Sequence, residues 1–346
     1  MQAYLVVISD RRIYALLALI SCVTINDFFH TLQHLSIDPL FPAIVKENSK
    51  MHNLITPEPF SKEIMEKARQ IKSSLPLPAC LDSPFFLARF LRAHGGDEDL
   101  ARQRVEEYLS HRQTLGYADL NDTEIYNEFP IGKATYKRFC ISRVDRLARS
   151  GDVHVFVHKM GGTDLKEIMK VIPLSYVLHS YFMLHEIFGR AVAETEKRTV
   201  EYGGTWRDDS GYSQPPEGCT HPLQPVLSVD HRGPDDIWVD FGILKPPTSK
   251  TYTIKGHQNC EIVKKCTQTG RLIWNFTISG DVEFEIVRRE AGKEVQSWPK
   301  ITLTSLKLPE YGNIPAIPGE YVIRIRNPST TWFPVKVNGA ADFKAE

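Results

Sequence analysis

Val153-His-Val-Phe-Val157 is apolar on both faces, the pattern of a strand covered by helices on its two sides, as in a parallel sheet. Gly161-Gly162 breaks the run, and a short helix follows. Pro173 then opens a long helical stretch to Arg198 whose apolar face carries Leu174, Val177, Leu178, Tyr181, Leu184, Phe188 and Val192. A buried strand and its crossover helix require a second buried strand. Residues 200–225 supply none, because VEYGGTWRDDSGYSQPPEGCTHPLQP is polar and rich in Gly and Pro. The sequence therefore predicts a parallel-type strand without partners, and such a strand cannot satisfy its backbone N–H and C=O groups. A shorter β-type run, Arg138-Phe-Cys-Ile141, precedes it.

The carboxy-terminal third has a different period. Strand-type runs at 237–244, 251–256, 260–264, 271–278, 282–288, 301–306, 321–326 and 332–337 fit an antiparallel β-sandwich. Leu272, Trp274, Phe276 and Ile278 alternate with Ile273, Asn275 and Thr277; Val282, Phe284 and Ile286 alternate with Asp281, Glu283 and Glu285. Ser279-Gly280 reads as the hairpin turn between these two runs, and Pro318-Gly319 as a second turn.

Towards the amino terminus the period is helical. Residues 60–74 place Ile64, Ala68 and Ile71 on one face and end at Leu75-Pro-Leu-Pro78. Ser83-Pro84 opens a second helix carrying Phe86, Leu87, Phe90 and Leu91, closed by Gly95-Gly96. Asp97 caps a third, with Ala101, Val105, Tyr108, Leu109 and Leu115 recurring along it. Ahead of these helices, Arg11 and Arg12 precede an apolar run at 13–25. That run has the charge-then-apolar order of a secretory signal but is too short to span a bilayer. Residues 1–25 therefore carry two readings, a signal or a buried hydrophobic helix. In a secreted chain Asn121-Asp-Thr123 and Asn275-Phe-Thr277 would be glycosylation sequons.

Composition sets limits on function. With 42 Lys+Arg against 42 Asp+Glu, the chain has no excess charge for a phosphate backbone, so nucleic acid is not an expected partner. The 6 cysteines show no CxxC pair and no regular spacing, which fits reduced thiols in the cytoplasm. Phosphate-cradle, nucleophile-elbow and zinc-protease motifs do not occur. His154 and His158 share a strand face about 13 Å apart, too far for one metal ion. His179 and His185, six residues apart on a helix, fall on different faces. No acid/base pair, cofactor site or metal site is expected, and the chain reads as a non-enzyme. Lys264, Lys265 and Arg271, with Arg288, Arg289, Arg324 and Arg326, offer a basic sheet face to anionic lipid headgroups. Glu283, Glu285 and Glu290 among them favour an ordinary mixed-sign solvated face. Trp274 and Phe276 read as core residues rather than a stacking platform.

At Leu75-Pro-Leu-Pro78, Phe86-Leu-Ala-Arg-Phe-Leu-Arg-Ala93, Ala193-Glu-Thr-Glu-Lys-Arg-Thr199 and Val200-Glu-Tyr-Gly-Gly-Thr205 the chain resembles the CRAL-TRIO lipid-transfer family. The likeness is to those animal members that carry a carboxy-terminal GOLD domain, with Glu320-Tyr-Val-Ile-Arg-Ile-Arg-Asn327 its most diagnostic strand. The resemblance implies an α/β plus all-β architecture: an amino-terminal extension (1–60), a helical subdomain (61–120), an incomplete CRAL-TRIO lipid-binding domain (121–211), a linker (212–228) and a GOLD β-sandwich (229–343).

It further implies a non-enzymatic protein that holds a phospholipid or other hydrophobic ligand, works peripherally at Golgi or vesicle membranes from the cytoplasm, and meets protein partners through GOLD. Phe156 and His158 would be lipid-binding positions on the remaining pocket strand. Tyr202, Gly203 and Gly204 would form a structural signature, and Lys264, Lys265 and Arg271 a membrane contact. The chain departs from the family between Thr199 and Val200, where several βα units and a gating helix are missing. At about 30 residues per unit the absent block is roughly 60 to 90 residues. The pocket floor, the gate and most headgroup positions are therefore not carried over. The rival reading is an interaction module, GOLD with a helical adaptor and no lipid.

Overall fold

Helices and antiparallel sheets alternate in blocks along the chain. The computed structural model describes residues 60–139, 141, 163–198, 222–305, 308–329 and 333–346, together with strands β1 (Tyr4–Ile8), β2 (Ala148–Ser150) and β3 (Val153–Lys159).

The first three helices form where capping and periodicity place them. In α1 (Lys62–Ser74) the Ser61 side chain accepts from the Ile64 N–H at 3.1 Å, and Ala68 and Ile71 are buried. α2 (Pro84–Ala93) starts at a Ser83 cap with proline in the first turn and buries Phe86, Leu87, Ala88 and Leu91. α3 (Glu98–Leu115) starts at Asp97, whose carboxylate accepts from the Leu100 N–H at 2.9 Å, and ends at Gly116 in the left-handed region (φ 79°). Ala68, Ile71, Leu81, Leu87, Leu91, Ala101 and Val105 make a small core among these three.

Two short helices follow that have too few turns to show a period: α4 (Asp122–Asn127), opened by an Asn121–Glu124 capping box, and α5 (Pro130–Tyr136). They touch at Gly132, where a Cβ would lie 2.1 Å from the Ile125 carbonyl oxygen. The expected strand at 138–141 does not form. Residues 137–139 close α5 in a turn, and Ile141 is a single bridge residue. Arg138 reaches instead to Asp230, at 2.6 Å, and donates to the carbonyls of Gln224 and Pro225. Beyond it lie α6 (Leu165–Ile168) and the long α7 (Leu174–Arg198).

β3 does not stand alone, and its neighbours are not parallel. It is the centre of a three-stranded sheet in the order β1-β3-β2, antiparallel to both partners, with Val6 opposite Val157 and Ala148 opposite Val155. Both partners come from upstream in the chain, whereas the crossover argument looks only downstream. Among the described residues every paired strand is antiparallel, which corrects the expected parallel fragment.

The last third forms two four-stranded sheets from β4 (Lys250–Ile254), β5 (Asn259–Cys266), β6 (Gly270–Ile278), β7 (Val282–Glu290), β8 (Lys293–Leu303), β9 (Glu310–Ala316), β10 (Gly319–Arg326) and β11 (Val335–Ala345). Their orders are β5-β10-β7-β8 and β4-β11-β6-β9. β6 and β7 thus belong to different sheets, so Ser279-Gly280 passes the chain from one sheet to the other and is not a hairpin turn.

The segment 237–244 is no strand. It contains helix α8 (Asp236–Asp240), whose adjacent Ile237 and Trp238 cover Ile273 on the outer side of β6. β9 escaped the sequence reading because Gly312, Asn313 and Pro315 interrupt its alternation. β8 begins eight residues earlier than the run read at 301–306, carrying Pro299 where an edge strand tolerates it.

One core joins the two sheets to the helices around α7. It includes Trp274 and Phe276 of one sheet, Phe284, Trp298 and Ile323 of the other, and Ile125, Val177, Leu178 and Ile187 from the helical side. Trp274 stands 5.9 Å from Phe284 and 5.2 Å from Trp298, centroid to centroid. Backbones also approach closely at Gly339, opposite Phe276, where a Cβ would lie 2.1 Å from the Asn275 carbonyl oxygen. Gly339→Ala is therefore expected to lower stability by about 3 kcal/mol, the upper end of ordinary overpacking costs, in urea unfolding.

Candidate functional site

The richest polar chemistry lies between α3, α7 and the sheets. Glu186 on α7 has no exposed side-chain surface. It accepts from Arg112 of α3 through Nη2 at 2.7 Å and Nε at 3.1 Å, from Arg190 one turn along through Nε at 2.8 Å, and from the Tyr108 hydroxyl. Arg112 also donates to the Ala118 carbonyl at 3.1 Å, and Arg190 to the carbonyls of Leu120, Tyr117 and Ala118. Each guanidinium therefore has partners beyond the single carboxylate. Burial alone would lower the Arg112 pKa, but the Glu186 hydrogen bonds and charge outweigh it and hold it above its ordinary value. Burial, reinforced by Glu186, pushes Tyr108 well up. Such a cluster ties α3 to α7.

Beside it lies a chain of neutral groups. His111 Nδ1 meets the Tyr117 hydroxyl at 3.0 Å, and His111 Nε2 meets His179 Nδ1 at 2.9 Å. His179 packs edge-on against the Trp298 indole of β8 at 4.7 Å. Burial lowers His111 to about 3, and burial followed by the neighbouring His111 takes His179 well below its ordinary value. A third contact crosses from sheet to helix. Glu310 at the start of β9 is buried and accepts from the Ser175 N–H at 3.2 Å and from the Ser175 hydroxyl, in the first turn of α7. Burial pushes Glu310 up to about 7 against those two donors. No sequence signal announced these groupings, because α3, α7, β8 and β9 contribute residues 60 or more positions apart.

The expected site residues fare differently. Phe156 and His158 lie on β3 opposite Val7 and Leu5 in register. Tyr202, Gly203 and Gly204 lie outside the described residues, as do the Arg11–Arg12 segment and its apolar run. Lys264 and Lys265 are on β5, and Arg271 is on β6 of the other sheet. Lys264 pairs with Asp342 at 3.3 Å, Lys265 stands opposite Glu320, and Arg271 donates to Asn313 at 2.6 Å. The other arginines are likewise matched. Arg324 bonds Glu261, Glu285 and Glu294, Arg289 bonds Glu261 and Glu320, and Arg326 bonds Glu283. The outer face is an ion-pair lattice of mixed sign.

Of the sequon asparagines, Asn121 caps α4, and Asn275 on β6 donates its amide to the Pro234 carbonyl at 2.6 Å. Cys80, Cys260 and Cys266 are free thiols. Among the described residues no group of three or more His, Cys, Asp or Glu is placed to hold a metal ion, and no helix is long and apolar enough to cross a membrane.

Among the described residues, two of the spaces in the molecule lie beside the helical layer. One, of about 20 Å³, is lined by Tyr126, Tyr136, Phe139, Ser180, Tyr181 and Leu184, on the face of α7 that the sequence marks as apolar. That volume holds about one water, not an acyl chain. The other, of about 280 Å³, is an open groove among Lys170, Arg232, Asn275, Pro309 and Tyr311. Its two cations are already paired, Lys170 with Glu167 and Arg232 with Asp240.

No protein-family model matches the chain. No curated protein matches it either. Among solved structures, a de novo designed double-stranded beta-helix is 16% identical, with TM-score 0.19, over 28% of this chain and 100% of its own. The Yersinia pseudotuberculosis-derived mitogen is 16% identical, with TM-score 0.22, over 30% and 92%. Aeromonas hydrophila PliG, a periplasmic inhibitor of g-type lysozyme, is 10% identical, with TM-score 0.21, over 28% and 85%. At these values the likeness carries no argument about fold or function.

Proposed function

We propose that this chain is a non-enzymatic member of the CRAL-TRIO plus GOLD lipid-transfer family, holding a phospholipid or other hydrophobic ligand and working from the cytoplasm, peripherally at Golgi or vesicle membranes. The observation that supports it is the succession of parts. A capped helical layer carrying the family's motifs is followed by two four-stranded antiparallel sheets whose inner faces share one core, as a GOLD β-sandwich would have. The proposal is of lipid holding and membrane contact rather than transfer, because the counterpart of the family's central block is missing between Thr199 and Val200.

A second reading has its own support. A large part of the apolar face of α7 is packed into the shared core, which favours an adaptor acting through its GOLD-type unit without lipid. Organic extraction of the purified full chain followed by lipid mass spectrometry separates the two. About one lipid per chain is expected; a lipid-free chain would defeat the first reading and leave the adaptor.

A further inference from the structure

We propose that the seam between the helical layer and the sheets is a proton-operated latch, in which proton uptake by His111 and His179 releases α3 and α7 from β8 while Glu310 opposes the release. The latch is independent of the lipid reading. His111 and His179 are 6% and 0% exposed, and their rings share one short N···N contact, which works only when one nitrogen donates and the other accepts. His111 lies against Phe182 at 4.1 Å, and His179 meets Trp298, which also packs against Tyr176 at 6.3 Å.

Among the described residues no acid bonds to the pair. Glu186 is occupied by Arg112, Arg190 and Tyr108, and Glu310 by Ser175. On β8, Glu294 bonds Arg324 and Arg289, and Lys300 bonds Glu283. An imidazolium at either position is thus an unpaired buried charge, and a doubly protonated pair sets N–H against N–H.

The docked histidines stay neutral, held at about 3 for His111 and well below 6.5 for His179, whereas released ones titrate near 6.5. Each therefore favours opening about tenfold per pH unit below that value. Glu310 is raised to about 7 when docked, so from there down to its ordinary value of 4.5 it carries a proton that it loses on opening, which disfavours opening about tenfold per unit. Two protons in and one out leave a net tenfold per pH unit between about 6.5 and 4.5. His185, lowered to about 4 by burial, lies on a different face of α7 from His179 and makes no hydrogen bond to either sheet.

Hydrogen-exchange mass spectrometry of the full chain at pH 7, 6 and 5, corrected for intrinsic exchange with an unstructured peptide, reads the latch. Peptides from β8 and the first turns of α7 are expected to open about tenfold more per unit of acidification, with β6 and β10 unchanged. Glu310→Gln should steepen this to about a hundredfold per unit, and His111→Gln or His179→Gln should flatten it. A pH-independent seam, or sheets that open together with it, would overturn the proposal. Should the histidine variants fail to fold, an unsteepened Glu310→Gln slope would overturn it equally.

Discussion

Replacing Glu186 by leucine is expected to cost about 4 kcal/mol, the range for removing one member of a buried ion pair. The loss should appear in urea unfolding as a lower midpoint at unchanged slope. The size follows from what remains. Arg112, 5% exposed, and Arg190, 11% exposed, would keep their charges with backbone carbonyls, the Cys80 sulfur and the partly exposed Asp122 to answer them. The double variant Glu186→Leu with Arg112→Met removes opposite charges together, so it should cost less than Glu186→Leu alone. A double variant whose cost equals the sum of the two single costs would mean that the cluster is decoration rather than the tie between α3 and α7.

Trp274→Ala should cost a similar amount, about 4 kcal/mol, because the ring is fully buried where both sheets and the helical layer share a core. A second measurement isolates its geometry. A Cβ at Gly312 would sit 2.5 Å from the Trp274 ring, so Gly312→Ala alone should be costly, by about 2 kcal/mol. In the Trp274→Ala background the same change should cost almost nothing, since the ring it strikes is gone. Equal costs in both backgrounds would mean that β9 and β6 do not pack as described.

Local signals were the legible ones. Ser61, Ser83 and Asp97 mark helix starts that the structure reproduces, and the alternation of 272–276 and 282–286 identifies β6 and β7 and their inward faces. Pairing was not legible. The tight link at Ser279-Gly280 suggests a hairpin, yet a two-residue turn can equally carry a strand across to the facing sheet, and only long-range register decides. Similarly, the stretch at 237–244 has strand-like residue types but puts Ile237 and Trp238 on the same covered side, which a strand cannot do. The seam was invisible for the same reason. His111, His179, Glu186, Trp298 and Glu310 are unremarkable one at a time and become a network only when four distant elements meet.

The family reading turns on the junction of Thr199 with Val200. Sequencing the gene and its transcripts across those two codons tests it directly. Intervening coding sequence for two or three βα units, roughly 60 to 90 residues, is expected there. Codons that adjoin within one uninterrupted exon would contradict it.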